Sequence, residues 1–179
     1  MSSTDQEKIS RHCFAVLVAN EPGVLARVIG LFCGRGYNIE SLTVDEVDPK
    51  QHLSRITIVS CGTPMILAQI EAQLARLVCV REVVNLSTQG QFVESCLAFL
   101  KLTSDPKTIK KAIALAKKDG ATVAKQTAKT TILQFSAPRK KIDALIKKLR
   151  PLGLVETAST GSMAMGTGSK VFGAKRKDT

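Results

Sequence analysis

The sequence predicts an α+β protein made of two ferredoxin-like β-α-β-β-α-β domains in tandem. The first observation is the length of 179 residues, which is enough for two small domains. The second is that the order strand, helix, strand, strand, helix, strand can be read twice along the chain. The third is charge: residues 1–98 hold eight Lys+Arg and ten Asp+Glu, whereas residues 99–179 hold 18 and five. Such a split between halves indicates two modules.

The first repeat opens with an apolar segment rich in strand formers, residues 11–19. Asn20 is predicted to cap the helix that follows, and Pro22 to lie in its first turn. The helix is predicted to end at about Cys33, because Gly34-Arg35-Gly36 is a helix-stop signal. The apolar residues of this helix recur at helical spacing: Val24, Leu25, Val28, Ile29 and Phe32.

The rest of the first repeat contains three strands and one helix. Residues 37–47 alternate with a slip, which predicts a strand with a bulge, and residues 53–61 alternate clearly. A helix is predicted after Thr63-Pro64, with its apolar residues on one stripe. Residues 80–87 are predicted to form the closing strand of the repeat.

The second repeat follows the same order. Its predicted strands are 94–103, 121–127, 129–137 and 154–160. Its helices are predicted to begin at Pro106 and at Pro138. The predicted domain organisation is a flexible N-terminus at 1–10, a first domain at 11–89, a second at 93–165 and a basic flexible tail at 166–179.

Composition narrows the class of protein. The hydrophobic fraction of 44% suits a packed core, and no apolar run reaches the roughly 18 residues of a spanning helix. The polar start of the chain is not a secretory or transit signal, so we expect a cytoplasmic protein. The five cysteines are dispersed without a C-x-x-C pair, so neither a metal site nor a disulfide is predicted.

The corner at residues 20–25 is the candidate binding site. A helix N-terminus exposes unpaired N–H groups that can hold a carboxylate, and Gly23 lets a ligand approach the backbone closely. Asn38, at the start of the next strand, offers both a donor and an acceptor to an α-amino acid. On the residues alone, a plain capped helix with a turn Asn is the commoner arrangement.

Catalytic constellations are missing from the sequence. His12 and His52 are isolated, and no nucleophile motif or metal-binding motif is present. We therefore expect no catalytic residue in this chain and do not expect it to act as an enzyme by itself.

Lysine clusters mark the two helices of the second repeat. They could bind nucleic-acid phosphates or an acidic protein partner, although a solvated helix face is the simpler interpretation of any one pair. The predicted sheet lacks the aromatic platform on which such folds stack bases, so we do not expect nucleic acid as a partner. The clusters are Lys110-Lys111, Lys117-Lys118, Arg139-Lys140-Lys141 and Lys147-Lys148.

Three strings carry a family resemblance: NEPGVLARVIGLFCGRGYNIESLTV, LSRITIV and QIEAQLARLVCVREV. Residues 12 to about 90 resemble the regulatory small subunit of acetolactate synthase (acetohydroxyacid synthase). That stretch is similar to an ACT domain, a module that binds amino acids.

The resemblance implies a site between the ACT domains of a small-subunit homodimer. A branched-chain amino acid, typically valine but also leucine or isoleucine, would bind there as a feedback effector. Asn20, Gly23, Val24 and Leu25 would line one side, and Asn38 with Ile39 would reach it from the facing domain.

The resemblance also implies a partner. The family's large subunit carries the catalysis with thiamine diphosphate, Mg²⁺ and FAD, and the small subunit activates it and confers feedback inhibition. No cofactor is expected in this chain. The alternative hypothesis is a free-standing amino-acid sensor whose basic second domain binds nucleic acid.

The second half departs from the family pattern at three arginines. The family's E-R-E motif corresponds to Glu94-Ser95-Cys96, and two further family arginines correspond to Ser159 and Thr167. Because Arg is hard to replace where it makes bidentate contacts, these positions bear on activation of the large subunit.

Overall fold

The computed structural model describes residues 9–169 and 171–173. These residues form two compact units. One contains residues 9–93 together with 164–169 and 171–173, and the other contains residues 94–163. No helix among the described residues has both the length and the apolar character needed to cross a membrane.

The first unit is an antiparallel sheet with two helices, and it confirms the predicted β-α-β-β-α-β order. Its elements are β1 (Ser10–Ala19), α1 (Val24–Arg35), β2 (Ser41–Asp48), β3 (Leu53–Gly62), α2 (Pro64–Ala75) and β4 (Val80–Asn85). The strands lie in the order β2-β3-β1-β4, so β2 and β4 are the edges of the sheet.

The helices of this unit cover one face of the sheet. Alternate residues of the central strands, such as Phe14 and Ile58, are fully buried against the apolar stripes of α1 and α2. The stripes themselves consist of Val24, Val28 and Phe32 on α1 and Leu67, Ile70 and Leu74 on α2. Burial of these side chains is the main stabilising term of the unit.

The start of α1 differs from the prediction. The N-cap is Gly23, with φ 83°, and no side chain accepts a hydrogen bond from the first turn. The prediction that Asn20 caps this helix is wrong, because the Asn20 side chain donates to the Glu46 carboxylate instead. Pro22 accordingly lies in the turn before the helix.

The end of α1 and the course of β2 agree better with the sequence. Gly36 closes the helix at φ 68°, donating its N–H to the carbonyls of Phe32 and Cys33. The predicted strand at 37–47 begins only at Ser41, and it contains the expected bulge, between Glu46 and Asp48.

The second unit repeats the architecture, as predicted, with strand order β6-β7-β5-β8. Its core includes Leu100, Leu133, Ile142 and Leu145, all at most 1% exposed. The elements are β5 (Phe92–Leu102), α3 (Pro106–Lys118), β6 (Thr122–Gln126), β7 (Thr131–Ala137), α4 (Arg139–Leu149), a 3₁₀ turn (Arg150–Leu152) and β8 (Leu154–Ser159). A last short strand, β9 (Met163–Gly166), pairs with β5, and of its residues only Met163 belongs to the second unit.

Side chains cap α2 and α3. Thr63 accepts a hydrogen bond from the Ile66 amide, and Asp105 accepts from the amides of Lys107 and Thr108. The hydrogen bonds from Thr108 hold the pKa of Asp105 below its ordinary value. These caps satisfy N–H groups that the helix leaves unpaired.

The first unit also has a covered outer face. Cys13, Ala15 and Val59 point away from the helices and are fully buried. Ala164, Phe92 and Phe172 pack with them. Described residues of the predicted tail therefore contact the sheet of the first unit, while residues 1–8, 170 and 174–179 of the predicted termini lie outside the described residues.

Candidate functional site

The corner between β1 and α1 is tied to the β2–β3 side of the sheet. The Asn20 backbone N–H donates to the carbonyl of His52, 2.6 Å away, in the turn between β2 and β3. The Asn20 side-chain Nδ2 donates to Oε1 of Glu46 on β2 at 2.8 Å. The corner therefore lies beside the edge strand β2.

The first turn of α1 leaves its amide groups available. The Val24 N–H donates weakly to the Glu21 carbonyl at 3.3 Å, and the Gly23 carbonyl accepts from Arg27. No side chain caps this turn, and no acidic residue lies in it. The amides of Leu25 and Ala26 thus belong to the set that a helix cannot satisfy internally, and they lie at the positive end of the helix dipole.

The side chains of the corner differ in exposure. Val24 is only 4% exposed and packs in the core, so it offers a ligand only its backbone. Leu25 is 38% exposed and can contact a ligand with its side chain. Gly23 has open space where a Cβ would stand, which leaves room for close approach.

Asn38 and Ile39 lie at the other end of α1. Twelve helical residues separate them from the corner, a distance of about 18 Å along the axis. The Asn38 carbonyl accepts from the buried Ser60 hydroxyl at 2.7 Å, which fixes its backbone, and its side chain is exposed. Ile39 is half-buried against the core. Within one chain the structure does not bring these two residues to the corner.

Among the described residues, no group of three or more His, Cys, Asp or Glu side chains is placed to hold a metal ion. The acidic stretch along β2 is mostly exposed, with Asp48 capping the following turn through the amides of Lys50 and Gln51. Cys61 donates to the Glu40 carboxylate at 3.0 Å, and burial together with that carboxylate raises the pKa of the thiol.

The three positions that differ from the family's arginines make short polar contacts. The Ser95 hydroxyl lies 3.0 Å from that of Ser136, and the Thr167 hydroxyl donates to the Gln91 carbonyl at 2.9 Å. Ser159 lies 3.5 Å from the guanidinium of Arg139 on α4. A guanidinium is thus present beside Ser159, contributed by another element of the same unit.

Sequence reasoning missed the partners that hold the corner. The contacts of Asn20 with Glu46 and with the His52 carbonyl join residues about 30 positions apart, so no local pattern signals them. It also missed the packing of residues beyond 164 on the sheet. The apolar pair Val171-Phe172, within an otherwise polar segment, was the available signal.

Two family models match the chain. One, described as the AHAS small subunit-like ACT domain, matches residues 14–82. The other, described as the small subunit of acetolactate synthase, matches residues 96–168.

Curated relatives and a solved structure agree with these matches. The chain is 36% identical over 160 residues to a probable acetolactate synthase small subunit of Archaeoglobus fulgidus, covering 89% of this chain and 99% of the relative. It is 37% identical over 161 residues to the small subunit of Haemophilus influenzae, covering 89% and 98%. The crystal structure of the small subunit from Thermotoga maritima superposes with a TM-score of 0.78 at 30% identity, covering 90% of this chain and 99% of that chain.

Proposed function

Because this chain belongs to the family of acetolactate synthase small subunits, we propose that it binds a branched-chain amino acid and thereby regulates a catalytic large subunit. Membership of the family implies the large-subunit partner. The effector, its site and its effect on catalysis are the proposal. The large subunit would hold the thiamine diphosphate, Mg²⁺ and FAD, and this chain would contribute no catalytic group.

The single observation that carries the proposed site is the uncapped first turn of α1. Helices α2 and α3 each use a side chain to satisfy early amides, whereas α1 and α4 use none, and of these four helices α1 alone begins at a glycine with positive φ. An open, positively polarised helix start is suited to a carboxylate. The half-exposed Leu25 adds an apolar contact for an aliphatic side chain.

The second half of the proposed site comes from another copy of the chain. β2 is an edge strand, and Val44 and Val47 on it are 44% and 48% exposed, so its backbone and side chains suit pairing with a second β2. In an antiparallel pair about a two-fold axis, the start of one strand lies beside the end of the other. That arrangement places Asn38 and Ile39 of one copy near the end of β2 in the other copy. At that end, Glu46 accepts a hydrogen bond from the Asn20 side chain.

A ligand shared by two copies is a physical basis for regulation. Its binding energy depends on how the two domains pack, so occupancy shifts the population of packing arrangements. A large subunit that contacts the small-subunit dimer would respond to that shift. We expect valine, leucine or isoleucine to serve as effector, since their side chains differ by one methylene or its position, worth about 1–3 kcal/mol in a pocket.

Calorimetry of the purified chain with each of the three amino acids tests the site. We expect Asn20→Ala and Asn38→Ala each to weaken binding at least about tenfold, because each removes a charge-assisted hydrogen bond. Gln126→Ala, an exposed amide in the second unit, is the matched control and should leave the affinity unchanged.

Mixing the two variants tests whether the site is shared. In a mixed dimer, one of the two sites has both Asn20 and Asn38, contributed by different chains. An equal mixture should therefore recover about a quarter of the wild-type sites if chains exchange freely. Recovery of none, although mixed dimers form, would contradict a site between copies, and unchanged affinity in both single variants would contradict the site altogether.

A pull-down with the large subunit tests the partner. Co-purification that depends on neither RNA nor DNA supports the regulatory assignment. Salt-sensitive retention of nucleic acid without such co-purification would favour the alternative of a sensor whose basic helices bind nucleic acid.

A further inference from the structure

A row of three side chains crosses the outer face of the first unit. Leu17 on β1 lies between Arg55 on β3 and Glu82 on β4 in the sheet register. Because alternate residues share a face, Arg55 and Glu82 stand on the side opposite the helices. The next row on this face consists of Thr57, Ala15 and Val84, all buried.

The covering segment, defined as residues 164–169 with 171–173, lies over this face. The guanidinium of Arg55 donates to the Ala164 carbonyl and lies 4.9 Å below the ring centroid of Phe172. The Gly173 amide donates to Oε2 of Glu82 at 2.8 Å, and the Thr167 amide donates to the Gln91 carbonyl at 3.0 Å. Both charged residues of the row therefore hold the segment.

Between the sheet and the covering segment is a cavity of about 340 Å³. This volume lies in the range of small-molecule sites, which are roughly 300–1,000 Å³. Its charged lining is Arg55 and Glu82, and its apolar lining includes Val84, Leu86, Met165 and Phe172. All of these residues belong to the first unit.

Arg55 has hydrogen-bonding capacity to spare. None of the ion pairs among the described residues includes it, although Asp45 is its register partner on β2. Burial lowers the pKa of its guanidinium, which nevertheless stays charged at neutral pH. A guanidinium has five N–H donors, and the Ala164 carbonyl accepts one. The remaining donors suit a carboxylate, which they can bind as a fork.

We propose that this cavity is a second small-molecule site, which binds an aliphatic α-amino acid as its zwitterion. The ligand's carboxylate pairs with Arg55, its ammonium with Glu82, and its side chain with the apolar lining. A zwitterion keeps the cavity electrically neutral, which limits the cost of burying charge. This site does not depend on the corner at α1, since the two share no residue.

Methionine methyl NMR with L-leucine as the probe tests the proposal site by site. Met165 lines the cavity, whereas Met65 lies at the start of α2 outside the lining and is the matched reference. In the full chain, leucine should shift the Met165 methyl signal in a saturable way and leave Met65 in place. A Met165 signal that does not respond to leucine would overturn the proposal.

Two variants connect the response to the charged pair. Arg55→Met should raise the leucine concentration that half-saturates the Met165 shift at least tenfold. Glu82→Gln retains an acceptor for the Gly173 amide, so it should weaken leucine binding but leave 4-methylpentanoate, which has no ammonium, unaffected or tighter. Equal responses of wild type and Arg55→Met, or equal losses for both ligands in Glu82→Gln, would overturn it.

Asn20→Ala separates this site from the corner. It should leave the leucine response of Met165 intact even if it abolishes effector binding at α1. Loss of the Met165 response in Asn20→Ala would assign the signal to the corner and overturn the second site. Failure of the corner with a persistent Met165 response would overturn only the proposed effector site.

Discussion

At the scale of single residues, two glycines at positive φ allow the cost of backbone strain to be compared with the cost of a steric clash. Gly120 and Gly153 both belong to the second unit and have φ of 96° and 90°. A Cβ at Gly120 would meet only the Phe135 ring at 3.9 Å, whereas a Cβ at Gly153 would stand 2.5 Å from the Thr103 carbonyl oxygen. An alanine would therefore have a similarly strained backbone at both positions, but its Cβ would clash with the backbone only at position 153.

We expect Gly120→Ala to cost about 1 kcal/mol, the left-handed penalty alone. Gly153→Ala should cost about 3 kcal/mol or more, since backbone overlap adds to that penalty. Urea denaturation followed by a probe in the second unit measures both. Equal losses for the two variants would show that the turn at Gly153 relaxes to accept a Cβ.

Val24 is a second case at the scale of single residues, because it is predicted both in the core and in the binding site. The sequence pattern places Val24 both on the apolar stripe of the helix and in the predicted site, and its 4% exposure resolves this in favour of the core. Its amide can still serve a ligand, because a backbone group does not depend on where the side chain points.

At the scale of elements, the helix starts are the features that local sequence signals predict least well. The predicted helix after Thr63-Pro64 is confirmed as α2, and the Thr63 side chain caps it. Asn20 had equally good cap chemistry, yet Gly23 takes that position in α1. The difference arises because Glu46 on β2 competes for the Asn20 side chain, a contact that only the folded sheet creates.

This difference predicts unequal effects of two alanine variants on stability. Thr63→Ala should lower the free energy of unfolding by about 1 kcal/mol, because the Ile66 amide loses its acceptor. Asn20→Ala should change it by no more than a few tenths of a kcal/mol, since its hydrogen bond to Glu46 is exposed.

Chemical denaturation measures both variants, and hydrogen exchange at the first turn of α2 locates the effect. A loss for Asn20→Ala as large as that for Thr63→Ala would mean that Asn20 stabilises α1 after all. The comparison also validates the binding variant, because a stable Asn20→Ala protein reports on the ligand rather than on folding.

At the scale of the whole molecule, the first unit is discontinuous in sequence. Arg55 and the Ala164 carbonyl that it binds are 109 positions apart. The outer face that the covering segment packs on includes Cys13, Ala15 and Val59, all fully buried. Removing the segment would expose this apolar surface to water.

A chain that ends at Met163 should therefore lose stability in the first unit and keep it in the second. Hydrogen exchange provides both readouts: amides of β1 and β3 should exchange faster, while those of β5 and β7 in the second unit should retain their protection. Unchanged protection in β1 and β3 would show that the first unit does not depend on the covering segment.

The charge asymmetry between the halves also belongs to this scale. The lysines of α3 and α4 are exposed, and among the described residues only Lys148 of this set forms an ion pair, with Asp119 at the end of α3. A basic helical surface on the second unit is therefore present, as the sequence indicated, and it is available to an acidic partner surface.

The sequence by itself determined the element order and the α+β class, because hydrophobic period and turn residues act over a few positions and repeat along the chain. The family came from the resemblance of three of its strings to known members. It also predicted a candidate binding site at the corner, since a helix start with a glycine is a local signal. Only the tertiary structure decided that the Asn20 side chain binds Glu46, that the Asn38 carbonyl accepts from Ser60, and that residues beyond 164 cover the first sheet. Each of these depends on contacts between distant segments, whose energies come from the burial and charge of the folded surfaces and leave no periodic trace in the chain.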